Sequence, residues 1–360
     1  MLSSLVFSMT DRCPIKCRFC GAECSPENKE QLTFDDIRKT VDSLMEYKKL
    51  KLVVFTGGEP LLLKDTLLRS IGYCSDLGIH TRVVTNAFWA IDFESAIKNI
   101  VLLKKSGLKE INISCDDYHQ EFIPLDNIKY ANQAAIEENI PCLIGHKIMK
   151  GCRITKEFLD EFLGTDMSVF DPQSNDNPDF NLISSGYTVP IEKDMHLIPD
   201  EEILYPETTD HWKGPCSSIL QQVIINSKKE LCICCGMIPK KVSEVCFGNL
   251  DEKPLEFLIN EANNDLIVNW LALEGPYGLM NFIKKKDNAI QFRTNYVNNC
   301  HLCSEIFTRD ECREILLKHA NEKTNEIMLE RIFYDFMRDT TAGGIIAMRG
   351  VPDEAGSSAL

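Results

Sequence analysis

Short apolar segments alternate with amphipathic stretches through the first half of the chain. Apolar positions at helical spacing predict helices at residues 34–47, 64–77, 93–106, 126–138 and 155–163. Thr33 is the expected N-cap of the first helix. Strands that alternate with helices are typical of a parallel sheet with crossover helices, so the pattern predicts an α/β fold. The predicted strands cover residues 5–9, 52–56, 81–85, 110–114, 141–149 and 180–185.

The second half of the chain has a less regular pattern. Residues 222–235 read QVIINSKKELCICC and predict a β-hairpin with a polar turn. Residues 165–215 are rich in Asp, Asn, Pro and Ser, and predict a long surface segment that either grips a substrate or is an insertion without a role. Residues 311–338 predict a helix, and residues 341–360 predict a mobile tail.

Composition narrows the class of protein. The chain has 360 residues, 16 of them cysteine, and a formal net charge of -15. The sequence shows no signal peptide and no apolar run long enough to span a membrane, so we expect a cytoplasmic protein without membrane contact. Cysteines stay reduced there, so their clusters predict metal or catalytic sites instead of disulfides. The acidic balance argues against nucleic-acid binding and suits a neutral or cationic substrate.

A cysteine motif directly follows the first predicted strand. Cys13, Cys17 and Cys20 form a C-x3-C-x2-C array. Three thiolates can hold three irons of a cubane [4Fe-4S] cluster and leave the fourth iron open. The alternative is a structural zinc ion, for which Cys24 would be the fourth ligand.

A second motif, GGEP at residues 57–60, follows the second predicted strand. Two glycines allow the backbone to approach a ligand closely, and Glu59 offers a carboxylate. The two motifs, in this order, resemble the radical S-adenosylmethionine (SAM) superfamily. The resemblance implies that SAM fills the open iron site and that one electron from the cluster cleaves it to a 5′-deoxyadenosyl radical. It also implies a partial (β/α)6 barrel, with the chemistry at the C-terminal ends of the strands.

The resemblance further implies which residues contact SAM. In the superfamily, the GGEP turn receives the amino group, and polar residues after the third and fourth strands contact the carboxylate and ribose. Asn and Asp also build turns, which is the alternative role for Asn86 and Asp116. His119 is either a proton-transfer group or a lone histidine without a role. The implied SAM contacts are Gly57, Gly58, Glu59, Thr85, Asn86, Ser114 and Asp116.

The second half of the chain carries a further set of cysteines. The sequence places a cysteine upstream of the hairpin, others at the hairpin end, and a C-x2-C pair in NCHLC. This arrangement resembles the SPASM and twitch auxiliary domains, which bind additional Fe-S clusters. Cys232 is an alternative hairpin ligand, zinc is an alternative metal, and Cys246 and Cys312 are expected to be buried free thiols. We expect one auxiliary [4Fe-4S] cluster held by Cys216, Cys234, Cys300 and Cys303.

Several stretches together resemble one subgroup, the YydG-type radical SAM peptide epimerases, which convert L-residues of a ribosomal peptide into D-residues. These stretches are TNAFWA, ISCDDYHQEF, LISSG, LEGPYGLMNFIKKK and NNCHLCSEIF. The resemblance implies that Cys234 ligates the auxiliary cluster and that the adjacent Cys235 is the thiol that returns a hydrogen atom to the substrate. Cys235 would otherwise be a structural sulfur or a cluster ligand. Gln222 stands where those enzymes carry an acidic residue.

The resemblance therefore implies an enzyme that inverts residues of a ribosomally made peptide, with flavodoxin or ferredoxin as electron donor. The alternatives are a maturase that forms a thioether or C–C cross-link, and a non-catalytic zinc protein. The expected division of the chain is a radical SAM core over 1–190, a linker over 191–215, an auxiliary cluster domain over 216–312, a helix over 313–340 and a tail over 341–360.

Overall fold

One ten-stranded sheet organises the molecule. The computed structural model describes residues 4–45, 50–171, 180–190, 198, 200–208, 210–234 and 242–341, with side chains as far as residue 334. The order of the strands across the sheet is β10-β9-β8-β1-β2-β3-β4-β5-β7-β6. In chain order they are β1 Ser4–Ser8, β2 Leu52–Thr56, β3 His80–Thr85, β4 Glu110–Ser114, β5 Cys142–Ile148, β6 Ser168–Val169, β7 Leu182–Tyr187, β8 Gln222–Ile225, β9 Glu230–Cys232 and β10 Cys246–Asn249.

The centre of the sheet is parallel, from β1 through β5 to β7. Helices connect these strands, as the alternating pattern predicted, and the expected parallel α/β fold is confirmed. Each predicted core strand lies within two residues of its observed bounds, and residues 46–47 of the first predicted helix lie outside the described part. The connecting helices are α1 Phe34–Met45, α2 Lys64–Asp76, α3 Phe93–Lys105, α4 Leu125–Glu137 and α5 Lys156–Leu163.

The two faces of the central sheet have different roles. Successive side chains of a strand point to opposite faces. In β1, Leu5 and Phe7 are fully buried under the helices, and Phe7 stacks on Phe55 with ring centroids 6.0 Å apart. Val6 and Ser8 point the other way and line a cavity. Helix α1 begins with a capping box, in which Asp36 N–H donates to Thr33 Oγ1 at 3.2 Å and Thr33 N–H to Asp36 Oδ2 at 2.9 Å.

The C-terminal part of the chain shares the same sheet. The predicted hairpin is present, and its first strand, β8, pairs in parallel with β1 so that Ile224 lies beside Val6. No helix in the described ranges is both long and apolar enough to cross a bilayer. Strand β10, beside the hairpin, packs against α6 Leu255–Asn264, the first helix of a helical part of the chain. The further helices of this part are α7 Leu266–Leu273, α8 Gly275–Lys286, α9 Asn299–Thr308, α10 Asp310–His319 and α11 Thr324–Thr341.

Two expectations for this part were wrong. A single helix over 311–338 was expected, but a 3-10 turn, Ala320–Lys323, separates α10 from α11. Glu322 in this turn accepts hydrogen bonds from Lys286 and His319, and the change of direction lets α11 pack against α7. Cys246 was expected to be a free thiol, but it forms a disulfide with Cys232, directly opposite on the neighbouring strand. Strand register thus paired two cysteines that we expected to stay reduced.

Candidate active site

A cavity of about 250 Å³ opens on the inner face of the sheet, at the C-terminal ends of the central strands. The three cysteines of the first motif line one side of it. Six of the seven residues expected to contact SAM also line it, whereas Glu59 does not. The lining members of that set are Gly57, Gly58, Thr85, Asn86, Ser114 and Asp116.

The cysteine loop is held by backbone hydrogen bonds to its own flanks. Cys13 N–H donates to the Ser25 carbonyl at 3.0 Å, and Ser25 N–H donates to the Asp11 carbonyl at 3.2 Å. Burial raises the pKa of Cys13 to about 12. A hydrogen bond with the Cys24 side chain lowers the pKa of Cys20 to about 6. The loop therefore places its sulfurs in unlike environments along one wall.

The donor set fits a cubane cluster. Among the described residues, no three His, Cys, Asp or Glu side chains converge as ligands of a single ion would. Each cysteine of a cubane ligates a different iron, so the three thiols do not need to meet at one point. Cys13, Cys17 and Cys20 instead share the cavity wall with Gly57 and Gly58.

The GGEP turn lies directly against the cysteine loop. Gly58 N–H donates to the Thr10 carbonyl at 2.6 Å, and Glu59 N–H donates to the Arg12 carbonyl at 3.0 Å. A Cβ atom on Gly58 would lie 2.1 Å from the Arg12 carbonyl oxygen. Gly57 has φ +129° and would place a Cβ 2.6 Å from the Thr10 carbonyl oxygen. Only glycine allows this approach at either position.

The Glu59 carboxylate is fully buried behind the cavity wall. It accepts hydrogen bonds from Leu61 N–H at 3.1 Å, Thr85 Oγ1 at 2.9 Å and Asn86 N–H at 2.9 Å. Burial raises its pKa to about 7, although these hydrogen bonds act in the opposite direction. The carboxylate therefore joins the turn after β2 to the turn after β3 and does not face the cavity.

Thr85 and Asn86 form the turn after β3 with their own side chains. Thr85 Oγ1 accepts from Trp89 Nε1 at 2.9 Å, and Asn86 Oδ1 accepts from Phe88 N–H at 3.0 Å. Asn86 Nδ2 also donates to Cys13 Sγ at 3.5 Å. The structure thus shows the turn-building role for Asn86 and links this turn to the cysteine loop.

Asp116, after β4, is paired with His119. Both carboxylate oxygens lie 2.9 Å from His119 Nδ1. Burial lowers the pKa of His119, but the Asp116 carboxylate more than offsets this and holds that pKa well above its ordinary value. Burial raises the pKa of Asp116, but the charge and hydrogen bonds of His119 keep that pKa lowered overall. His119 lines the cavity beside the cysteine loop, so it belongs to the site and is not an isolated histidine.

The far wall of the cavity includes polar and glycine residues that were not predicted from the sequence. They lie on β4, β5 and β7 and directly after β8. Alternation of side chains along a strand could have identified some of them, because residues two apart lie on the same face of a sheet. Asn112 shares a face with Ser114 in this way, and Lys147 shares one with Gly145. The missed residues are Asn112, Lys147, Ser184, Gly186 and Asn226.

The expected auxiliary ligands lie outside this cavity. Cys300 and Cys303 are three residues apart in the first turns of α9, on one helix face. Asn299 Nδ2 donates to the Pro215 carbonyl at 3.3 Å, which brings the Cys216 segment to the start of α9. Cys234 follows β9 and, like the other three, is half-buried against the main core.

Two further expectations concern the hairpin end. Cys232 was the alternative auxiliary ligand, but its sulfur is bonded to Cys246. Cys235, the expected hydrogen donor, lies outside the described residues. Cys312 is a fully buried free thiol, as expected.

Comparisons with known proteins agree with this geometry. Residues 7–155 match the Radical SAM superfamily. This range contains the cysteine loop, the GGEP turn and the turns after β3 and β4. S-adenosylmethionine and a [4Fe-4S] cluster are the cofactors of that superfamily.

The chain is similar to individual proteins over aligned stretches of different length. The chain is 20% identical over 330 residues to YydG of Bacillus subtilis (strain 168), named as a peptide biosynthesis protein, which covers 89% of this chain and 96% of YydG. It is 31% identical over 180 residues to a GTP 3′,8-cyclase of Clostridium botulinum, and this match covers 45% of this chain and 52% of the cyclase. It is 36% identical over 86 residues to a PqqA peptide cyclase of Bradyrhizobium diazoefficiens, and this match covers 23% of this chain and 22% of the cyclase.

Gly58→Ala tests the contact between the turn and the loop. The added methyl group would displace the Arg12 carbonyl and move Cys13, so we expect the iron of the first motif to be lost and stability to fall by roughly 2–4 kcal/mol. Iron content and urea denaturation measure these effects. Gly72→Ala is the control, because its Cβ would lie 3.7 Å from the nearest atom. Equal iron binding by both variants would contradict the proposed constraint.

Glu59→Gln tests the burial of the carboxylate. The folded pKa of about 7 exceeds the ordinary value of 4.5. The stability contributed by the protonated group is therefore fully present below the ordinary value and is lost as pH rises through about 7. Between pH 4.5 and about 7, we therefore expect the unfolding free energy of the wild type to fall by up to about 3 kcal/mol relative to that of Glu59→Gln. Denaturation of the apoprotein at several pH values measures it, and a difference between the two proteins that does not change with pH would contradict the effect of burial.

Proposed function

Because residues 7–155 form a radical SAM domain, we propose that this chain is an enzyme that epimerises residues of a ribosomally made peptide. The observation that carries this proposal is the similarity to YydG over 89% of the chain and 96% of YydG. YydG is named for peptide biosynthesis, and the PqqA cyclase also acts on a peptide by its name. The match to a GTP cyclase covers less than half of the chain.

The first cysteine motif would hold the SAM-binding cluster. Cys13, Cys17 and Cys20 would ligate three irons, and the Gly57–Gly58 backbone would form the adjoining SAM surface. Once bound and reduced by a donor such as flavodoxin or ferredoxin, the cluster and SAM supply the radical that removes a hydrogen atom from the substrate. Thr85, Asn86 and Ser114 would line the SAM site, and Glu59 would fix the turns behind it.

Inversion also needs a hydrogen donor on the face of the substrate opposite the abstracting group. By resemblance to the YydG-type enzymes, we propose the Cys235 thiol as this donor and the adjacent Cys234 as a ligand of the auxiliary cluster. Cys216, Cys300 and Cys303 would complete that cluster, and the last two share one face of α9. Transfer of the hydrogen atom would leave a sulfur radical on Cys235, which one electron from the same donor protein and a proton from solvent would return to the thiol.

Epimerisation leaves a specific isotope signature. With SAM, a reductant and a candidate peptide in D2O, we expect each inverted residue to gain one deuterium and to hydrolyse as a D-residue, because the donor thiol exchanges with solvent. Mass spectrometry and chiral amino-acid analysis measure both. A cross-linking enzyme would instead remove two hydrogens from the peptide and leave its chirality unchanged.

Variants separate the roles in the same assay. Cys235→Ala should still cleave SAM but form no D-residue. Cys152→Ala, which removes a partly exposed cysteine outside both sets, should epimerise like the wild type. Epimerisation by Cys235→Ala at the wild-type rate would contradict the assignment of the donor.

The auxiliary site is tested by iron content. Cys303→Ala should reduce the reconstituted iron from about eight to about four atoms per chain, because one cubane loses a ligand. Cys312→Ala, on the next helix, is the matched control and should keep the wild-type iron content. A wild-type protein with about four irons and one zinc ion would instead indicate a zinc site in the C-terminal part.

A further inference from the structure

The Asp116 carboxylate fixes the orientation of the His119 ring. Asp116 is fully buried, and its Oδ1 accepts hydrogen bonds from the N–H groups of Tyr118 at 3.1 Å and His119 at 3.0 Å. His119 Nδ1 lies 2.9 Å from both carboxylate oxygens. An ionised carboxylate only accepts hydrogen bonds, so Nδ1 carries the proton of this contact. The other ring nitrogen, Nε2, remains for a partner elsewhere.

The His119 ring lies against the cysteine loop. The Phe19 ring packs on Tyr118 with centroids 4.8 Å apart, and on His119 edge to face at 5.4 Å. Cys17, Phe19, Cys20 and His119 all line the same cavity. Since Nδ1 is engaged by Asp116, Nε2 is the ring nitrogen left for a sulfur of this loop.

We propose that His119 is a positioning residue that donates a hydrogen bond from Nε2 to the sulfur of Cys17 and thereby raises the reduction potential of the SAM-binding cluster. A cysteine that ligates iron is a thiolate and cannot donate, so the hydrogen must come from the imidazole. Hydrogen bonds to ligand sulfurs stabilise the added electron of a reduced cluster. Asp116 acts through His119, as carboxylates commonly do behind functional histidines.

This role has a physical reason in this chain. The protein carries a formal charge of -15, and the Glu59 carboxylate lies behind the cavity wall. Negative charge near a cluster opposes its reduction, and a hydrogen-bond donor at a ligand sulfur counteracts that effect. The inference rests on the proposed cluster ligands but not on epimerisation, so it applies equally to an enzyme that cross-links its peptide.

The test is an anaerobic redox titration of the reconstituted protein, followed by electron paramagnetic resonance. The signal that changes on addition of SAM identifies the relevant cluster. We expect a more negative midpoint for His119→Leu than for His119→Gln, and the wild type above both, because Gln keeps a donor but not the ring. Asp116→Asn should shift the midpoint in the same direction by less.

The matched control is His80→Gln, which removes a histidine at the start of β3, outside the cavity, whose Nε2 lies 3.9 Å from a Glu110 carboxylate oxygen. Its midpoint should equal that of the wild type. If the His119 variants keep full iron and sulfide content and the wild-type midpoint, then His119 has only a structural role and the proposal is wrong.

A measurement on the wild type does not depend on the folding of variants. In protein labelled with 15N-histidine, pulsed electron paramagnetic resonance of the reduced cluster should detect coupling to a histidine nitrogen. Absence of that coupling would overturn the proposal. The redox and resonance measurements need no peptide, so they remain valid if the proposed substrate is wrong. Conversely, a wild-type midpoint in the His119 variants would not affect the assignment of the peptide product, which is analysed separately.

Discussion

The close contact between the GGEP turn and the cysteine loop is the constraint on which the rest of the site depends. The Gly58 backbone approaches the Arg12 carbonyl so closely that no side chain fits between them. Two hydrogen bonds, from Gly58 N–H to Thr10 and from Glu59 N–H to Arg12, hold the contact. Because Cys13 directly follows Arg12, the position of the first cysteine is set by the end of a different strand.

Buried polar groups extend this constraint across the sheet. Glu59 accepts its hydrogen bonds from the turn after β3, and Asn86 in that turn donates to Cys13. Burying a carboxylate is costly unless it is hydrogen-bonded, and here the hydrogen bonds are also what aligns three strand ends. Asp116 and His119 repeat the arrangement after β4, with a buried carboxylate that orients a group toward the cysteine loop. A buried carboxylate therefore holds the chain in place on two sides of the proposed cofactor site.

Local sequence signals were sufficient for the architecture and for the first-motif residues. The strands and helices follow from apolar periodicity, and Gly57, Gly58 and the C-x3-C-x2-C array carry strong local requirements for backbone space and metal ligands. The orientation of Glu59 was harder to predict, because the direction of its carboxylate depends on Thr85 and Asn86, which are distant in sequence. His119 has a local partner in Asp116, three residues before it, but its place beside the cysteine loop involves packing against Phe19, which is distant in sequence.

The C-terminal part was less predictable because its key contacts depend on strand register. Cys232 and Cys246 are fourteen residues apart, and nothing local indicates that they face each other across β9 and β10. The parallel pairing of β8 with β1 is equally non-local, yet it makes both halves of the chain one sheet.

That pairing has a consequence for the cavity. Val6 and Ser8 of β1 line it, and the parallel pairing brings Ile224 of β8 and the following Asn226 to the same wall. The C-terminal half therefore contributes directly to the cavity that the cysteine loop lines. Because a shift of register by one residue turns every side chain of a strand to the other face, a shifted β8 would remove Ile224 from this wall. The register of β8 on β1 is thus the feature that joins the two halves of the chain in one site.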